Sequence, residues 1–367
     1  MPKLQHKTAV LMPYAPLKEE FDIGGIKFIP FQKLKVNPKI DKAVLDHLTK
    51  IVSTYKNLGG SQIHNPTFIF VNNINFKNPT RASIERIETS KNLLAFLGIM
   101  RMVSFSFVTS DNFELIYQSF ILGDDHVSTR AGSIHSIMTG GYQLPKVTFF
   151  KPEYINLPLD IRTDNNTLDA FNKELLTNPP RDEFLRILRS LKFFFDAYRN
   201  SYDVTWYSRI LLIFIALEVI LDCETRTQFR NRLQDLCTHR RFIGKEKTYS
   251  YPIMNTQTGN TMNDESLTYK QIWAEEFYKL RHNIIHHGVI PKDWLVFKDL
   301  LGITKRAVGH FYIAERFYIS AVLQTLRRLG YNSVPDETVI EDPKELLKRE
   351  NNNLYKSPFQ NSTSLLK

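Results

Sequence analysis

The sequence predicts an α+β protein: an N-terminal mixed α/β module followed by an all-α helical bundle. Three observations predict it. Up to about residue 160 the apolar residues gather in short, strand-like runs. Beyond residue 180 they recur at three- and four-residue spacing over long stretches, the period of an amphipathic helix. Between the two, Pro152, Pro158, Asp164-Asn165-Asn166 and Pro179-Pro180 punctuate the chain and place a boundary near 155–180.

In chain order, residues 8–12, 25–31, 67–71, 114–122 and 147–150 are the expected strands. Two helices interrupt them, about 39–55 and about 81–97, the second starting from a Thr80 cap. Gly123-Asp124-Asp125 and Gly140-Gly141 are turn signals. This first region, 1–160, has no phosphate-binding glycine loop and no metal-ligand cluster, and its residues alone give it no role. Five helices follow near 182–200, 203–222, 225–239, 268–287 and 303–329, making a helical domain over 181–330. Between the third and fourth, a polar connection of nearly thirty residues opens on His239-Arg240-Arg241 and Lys245-Glu246-Lys247. A connection that long inside a compact domain is usually functional. Residues 331–367 read as a polar tail rich in Asn and Ser.

Composition narrows the function classes. Of 367 residues, 43% are hydrophobic and 12% aromatic, the make-up of a folded chain. Net charge is +10, and residues 181–330 hold 23 Lys and Arg against 16 Asp and Glu. That surplus favours a polyanionic partner. Cys223 and Cys237 are the only cysteines, which argues against a disulfide scaffold and for a reducing compartment. No signal region and no apolar run long enough to span a bilayer is evident, so the expected location is cytoplasmic, away from membranes.

The densest chemistry lies in Arg281-His282-Asn283-Ile284-Ile285-His286-His287-Gly288, where three of the ten histidines fall beside an arginine. Trp273, Phe277, Leu280 and Ile284 form the buried stripe of a helix that Gly288 and Pro291 stop, so these residues occupy its last turns. A forked cation, imidazoles and an amide at a helix end suit phosphate chemistry. On an ideal helix Arg281 and His286 stand about 140° apart. One substrate meets both if the terminal turn tightens, or if a second copy supplies the missing half in a symmetric dimer. Glu218 lies inside an apolar helix, where a carboxylate needs a cation, and Arg232 and Arg281 are the candidates. The pairing is either purely structural or orients Arg281. His282 and His286 also have the spacing of a zinc helix, but Asn283 stands where zinc proteases carry their glutamate and no third ligand is evident. No metal and no cofactor is expected.

Arg281, the polar His282, three intervening residues and His286 resemble the motif of HEPN domains. The segment 277–288 resembles the closing part of the Apea-like HEPN family, and 216–221 followed by 229–233 is similar to its earlier part. The resemblance covers roughly 181–330 and leaves 1–160 unmatched. It implies a metal-independent endoribonuclease of a toxin or anti-phage defence system, acting as a homodimer on RNA. Arg281 and His286 would be catalytic. His282, Asn283, His287, Glu218 and Tyr278 would support them, and Arg240, Arg241, Lys245 and Lys247 are candidate RNA contacts. The N-terminal module would sense a trigger, phage-derived or an antitoxin, or restrain activity. Exposed single-stranded loops such as tRNA anticodons are the chemically natural target. The alternative, from a different class, is a catalytically silent HEPN dimer that binds nucleotides or nucleic acid, or acts as a scaffold.

Overall fold

The computed structural model describes residues 5–57, 62–63, 65–71, 81–100, 116–122, 130–131, 149–151, 165–198, 205–237, 247–254, 261–288, 295–297 and 308–335. The chain divides into two compact units, one of Met1–Thr163 with Ile340–Lys367, the other of Asp164–Val339.

The first unit is built on an antiparallel sheet. Its strands are β1 (Gln5–Met12), β2 (Phe21–Ile23), β3 (Ile26–Pro30), β5 (Thr67–Val71), β6 (Ile116–Leu122) and β7 (Arg130–Ala131), in the order β2-β3-β5-β1-β6-β7. β1 is central because Ala9, Val10, Leu11 and Met12 are all buried, so both of its faces are covered. It pairs Val10 with Ile69 on one side and with Tyr117 on the other. The two-residue loop Gly24-Gly25, at φ 60° and 75°, closes the β2–β3 hairpin, and the Asp22 carboxylate accepts from the Gly25 N–H at 3.0 Å. Helices α1 (Phe31–Lys35), α2 (Lys42–Ser53) and α3 (Arg81–Met100) accompany the sheet. Phe31, Leu34, Leu48, Ile51, Val52, Tyr55 and Phe68 make a shared core. A short strand β4 (Tyr55–Asn57) pairs in parallel with β8 (Phe149–Lys151). The turn signals at Gly123-Asp124-Asp125 and Gly140-Gly141 fall outside the described residues, as do Thr80 and 336–367 of the tail.

The second unit is mostly helical: α4 (Asn165–Leu176), α5 (Asp182–Ala197), α6 (Trp206–Leu221), α7 (Arg226–Leu236), α8 (Tyr269–His287) and α9 (His310–Arg328). It departs from the expected helical domain over 181–330 in three respects. The polar stretch expected as a boundary holds α4, whose Glu174 is buried against Arg181 and accepts from the Tyr331 hydroxyl at 2.6 Å. Burial pushes that carboxyl up, but these partners outweigh it and hold it below the usual range. The long polar connection carries a hairpin of β9 (Thr248–Met254) and β10 (Thr261–Thr268), which runs straight into α8. β10 is mostly exposed and lacks apolar alternation, whereas β9 carries it in Tyr249, Tyr251 and Ile253. Two short strands, β11 (Val296–Phe297) and β12 (Val308–Gly309), pair just before α9.

α6 packs against α5 and α9, and α7 against α8. Phe214 sits at the centre, stacked on Phe229 at 4.9 Å and tilted against Phe277 at 5.5 Å. Trp273 is fully buried, stacked on Phe277 and edge-on to Phe317, both at 4.9 Å. No described helix is long and apolar enough to cross a membrane.

Candidate active site

α8 begins with a reciprocal cap. The Thr268 hydroxyl accepts from the Gln271 N–H at 3.3 Å, and the Gln271 side chain accepts from the Thr268 N–H at 3.0 Å. The helix then buries Trp273, Phe277, Leu280 and Ile284, the stripe read from the sequence. It ends at Gly288, whose φ of 68° is a left-handed cap, with its N–H bonded to the Ile284 carbonyl at 3.3 Å. Open space surrounds this glycine, so the backbone conformation alone selects it.

The last two turns carry the predicted residues. Arg281 is half-buried. Its guanidinium carbon lies 5.4 Å from the Phe214 ring centre and 5.7 Å from that of Tyr278. Tyr278 meets Phe214 edge-on at 5.5 Å, so two rings fix the guanidinium between α6 and α8. Glu218 is half-buried rather than enclosed, because α6 turns one side outward and leaves Leu211, Leu212, Ile215 and Val219 half-buried too. Burial raises the Glu218 carboxyl above its ordinary range, and the opposing charge is Arg281. The other candidate, Arg232, instead closes the end of α6. It donates to the Leu221 carbonyl at 2.7 Å and pairs with the Asp222 carboxylate at 3.0 Å. Asp222 occupies the left-handed cap there, at φ 54°.

The terminal turn does not tighten. α8 stays α-helical through His287, so Arg281 and His286 remain on different sides of it. His286 is exposed and packs on His282, one turn back, with ring centres 4.2 Å apart and planes tilted 42°. His287 is exposed and stands outside that pair. Asn283 is half-buried, its amide nitrogen enclosed without a hydrogen-bond partner among the described residues. Lys247 is exposed just ahead of β9, whereas Arg240, Arg241 and Lys245 lie outside the described residues. Among the described residues no three His, Cys, Asp or Glu side chains are grouped to hold a metal ion.

Three features escaped the sequence reading. Glu275, buried on α8, is bracketed by Arg226 and Arg230 of α7, the latter at 3.2 Å, and Arg230 reaches on to Glu265 at 2.9 Å. Burial pushes the Glu275 carboxyl up and the two arginines oppose that. The four-residue spacing of Arg226 and Arg230 was a visible signal, but their partner lies 45 or more residues away. His310 is buried among Trp273, Phe277 and Phe297, and burial pulls its pKa down to about 3. Glu315, also buried, accepts from the Tyr198 hydroxyl at 2.6 Å.

No family model matches the chain, and no curated protein or solved structure is significantly similar to it.

Proposed function

We propose that the helical unit is a HEPN-like, metal-independent endoribonuclease that works as a symmetric dimer in an anti-phage defence or toxin system. The observation that carries this reading is the end of α8. It holds an always-charged guanidinium beside two rings and in the field of a carboxylate, next to a packed pair of imidazoles of which His286 is exposed. RNA brings its own nucleophile. The protein has only to take the 2′-hydroxyl proton, stabilise charge on the phosphorus oxygens and return a proton to the leaving oxygen. The 2′-oxygen bonds to phosphorus as the bond to the 5′-oxygen breaks, leaving a 2′,3′-cyclic phosphate and a 5′-hydroxyl. Arg281 grips the phosphate, with Glu218 and Tyr278 positioning it. His286 moves the proton, and His282, packed against it, positions the ring.

Arg281 and His286 face different sides of one helix, so a single copy presents only half of each site. A second copy closes the gap. The outward apolar side of α6 (Leu211, Ile215, Val219) and Ile285, 49% exposed one turn beyond Arg281, offer surface for it. The N-terminal unit then senses the trigger or restrains cleavage, and unpaired RNA loops, tRNA anticodons among them, are the preferred substrate.

The competing reading is a catalytically silent binding module. It is favoured by the way Phe214 and Tyr278 already occupy the Arg281 guanidinium. Incubating purified protein with total cellular RNA in excess EDTA decides between them. Defined fragments ending in cyclic phosphate, reduced about 100-fold or more in Arg281→Ala and in His286→Ala, are expected. Intact RNA with folded, dimeric wild type supports the silent module or a chain whose trigger is missing, and fragments that vanish with EDTA overturn the metal-free chemistry.

A further inference from the structure

Two imidazoles one helical turn apart, with ring centres 4.2 Å from each other, are close enough to reach one ligand. Imidazole nitrogens select late first-row ions over Mg2+ and Ca2+, which take oxygen ligands. A tetrahedral ion with bonds of about 2.0–2.1 Å to both histidines needs the rings to open by only about 1 Å, within reach of small side-chain rotations. Each ring has to give a single nitrogen.

Two further observations favour a cation here. The pair lies in the last turns of a 19-residue helix, at the negative end of its dipole, where carbonyls lack helical partners. Arg281, the nearest fixed positive charge on the helix, is drawn towards Phe214, Tyr278 and Glu218, about 100° round the axis from His282. Neither cysteine competes for the ion, because both thiols are buried and pushed up to about 12, far from the thiolate form.

We propose that His282 and His286 form a two-histidine site for a divalent ion of the Zn2+ class, and that its occupancy takes the His286 imidazole out of proton transfer. Two protein ligands leave the remaining positions to solvent, so the ion exchanges readily and acts as a reversible brake. The site rests on the ring geometry alone; the braking role rests on the nuclease reading.

The test is a competition titration of tag-free full chain with Zn2+ against a chromophoric chelator at pH 7.5. The expected result is one ion per chain, with affinity reduced about tenfold or more by His282→Ala and by His286→Ala and unchanged by His287→Ala. Circular dichroism checks that each variant keeps its helices. Unaltered binding in the first two variants, or an equal loss in His287→Ala, overturns the site. In the cleavage assay, Zn2+ is expected to inhibit wild type over the range that fills the site, with EDTA restoring activity. Full cleavage by the Zn2+-loaded chain overturns the brake. A chain that binds Zn2+ through these two histidines and never cleaves RNA refutes the nuclease reading and leaves the site standing.

Discussion

Glu218 and His310 show how one side chain couples the fold to pH. Burial raises the Glu218 carboxyl, so the folded state holds its proton more tightly than the unfolded chain does. The resulting penalty is present at neutral pH and fades as pH falls through the folded value. Glu218→Gln is therefore expected to raise Tm by about 2–4 °C at pH 7.5 and to change it little at pH 4 in thermal scans. The same substitution loosens Arg281, so cleavage is expected to drop several-fold even as stability rises. A stability gain with full activity would make the pair purely structural. His310 has the opposite sign of shift. Its pKa falls from 6.5 to about 3 on burial, so the stability of its neutral form is complete above 6.5 and drains away as pH falls towards 3. His310→Phe is expected to flatten that part of the Tm–pH curve. An unchanged acid limb would place the loss on other groups.

At the scale of elements, helices α7 and α8 are held by a polar clasp set in apolar packing. Glu275 is 2% exposed and balances Arg226 and Arg230 across α7 and α8. Removing the carboxylate leaves two cations facing a low-dielectric seam, so Glu275→Ala is expected to cost about 3–5 kcal/mol in urea unfolding. A loss below about 1 kcal/mol would mean that the arginines find water instead. The sequence read most helices well. The buried stripe of α8, its Gly288 stop and the extent of α6 all follow from local periodicity and capping. The units divide between Thr163 and Asp164, inside the 155–180 stretch read as the boundary. Yet α4 went unread there because Pro179-Pro180 and the Asn-rich start outweighed a short apolar pattern. The sequence missed β9, where Tyr249, Tyr251 and Ile253 do alternate, because Pro252 interrupts a short run set in polar sequence. It missed β10 because that strand is mostly exposed and has no alternation.

For the whole molecule, the arrangement of Arg281 and His286 makes a sharp prediction. In a composite dimer site, a mixture of Arg281→Ala and His286→Ala chains contains heterodimers in which one of two sites is wholly wild type. Random re-pairing of two inactive preparations is then expected to restore about a quarter of wild-type cleavage. A site completed within one chain gives no restoration, and that outcome would return both residues to a single copy.

The sequence by itself determined where the candidate residues cluster and which helix holds them, because caps, stripes and motif spacing act within a few turns of one element. It also set the 140° offset of Arg281 and His286, a consequence of helical pitch alone. Only the tertiary structure decided the partners. Arg281 lies against Phe214, more than sixty residues away, Arg232 turns to the end of α6, and Glu275 closes on α7. Those choices depend on which helices pack together, a property of the whole folded chain that local periodicity does not encode.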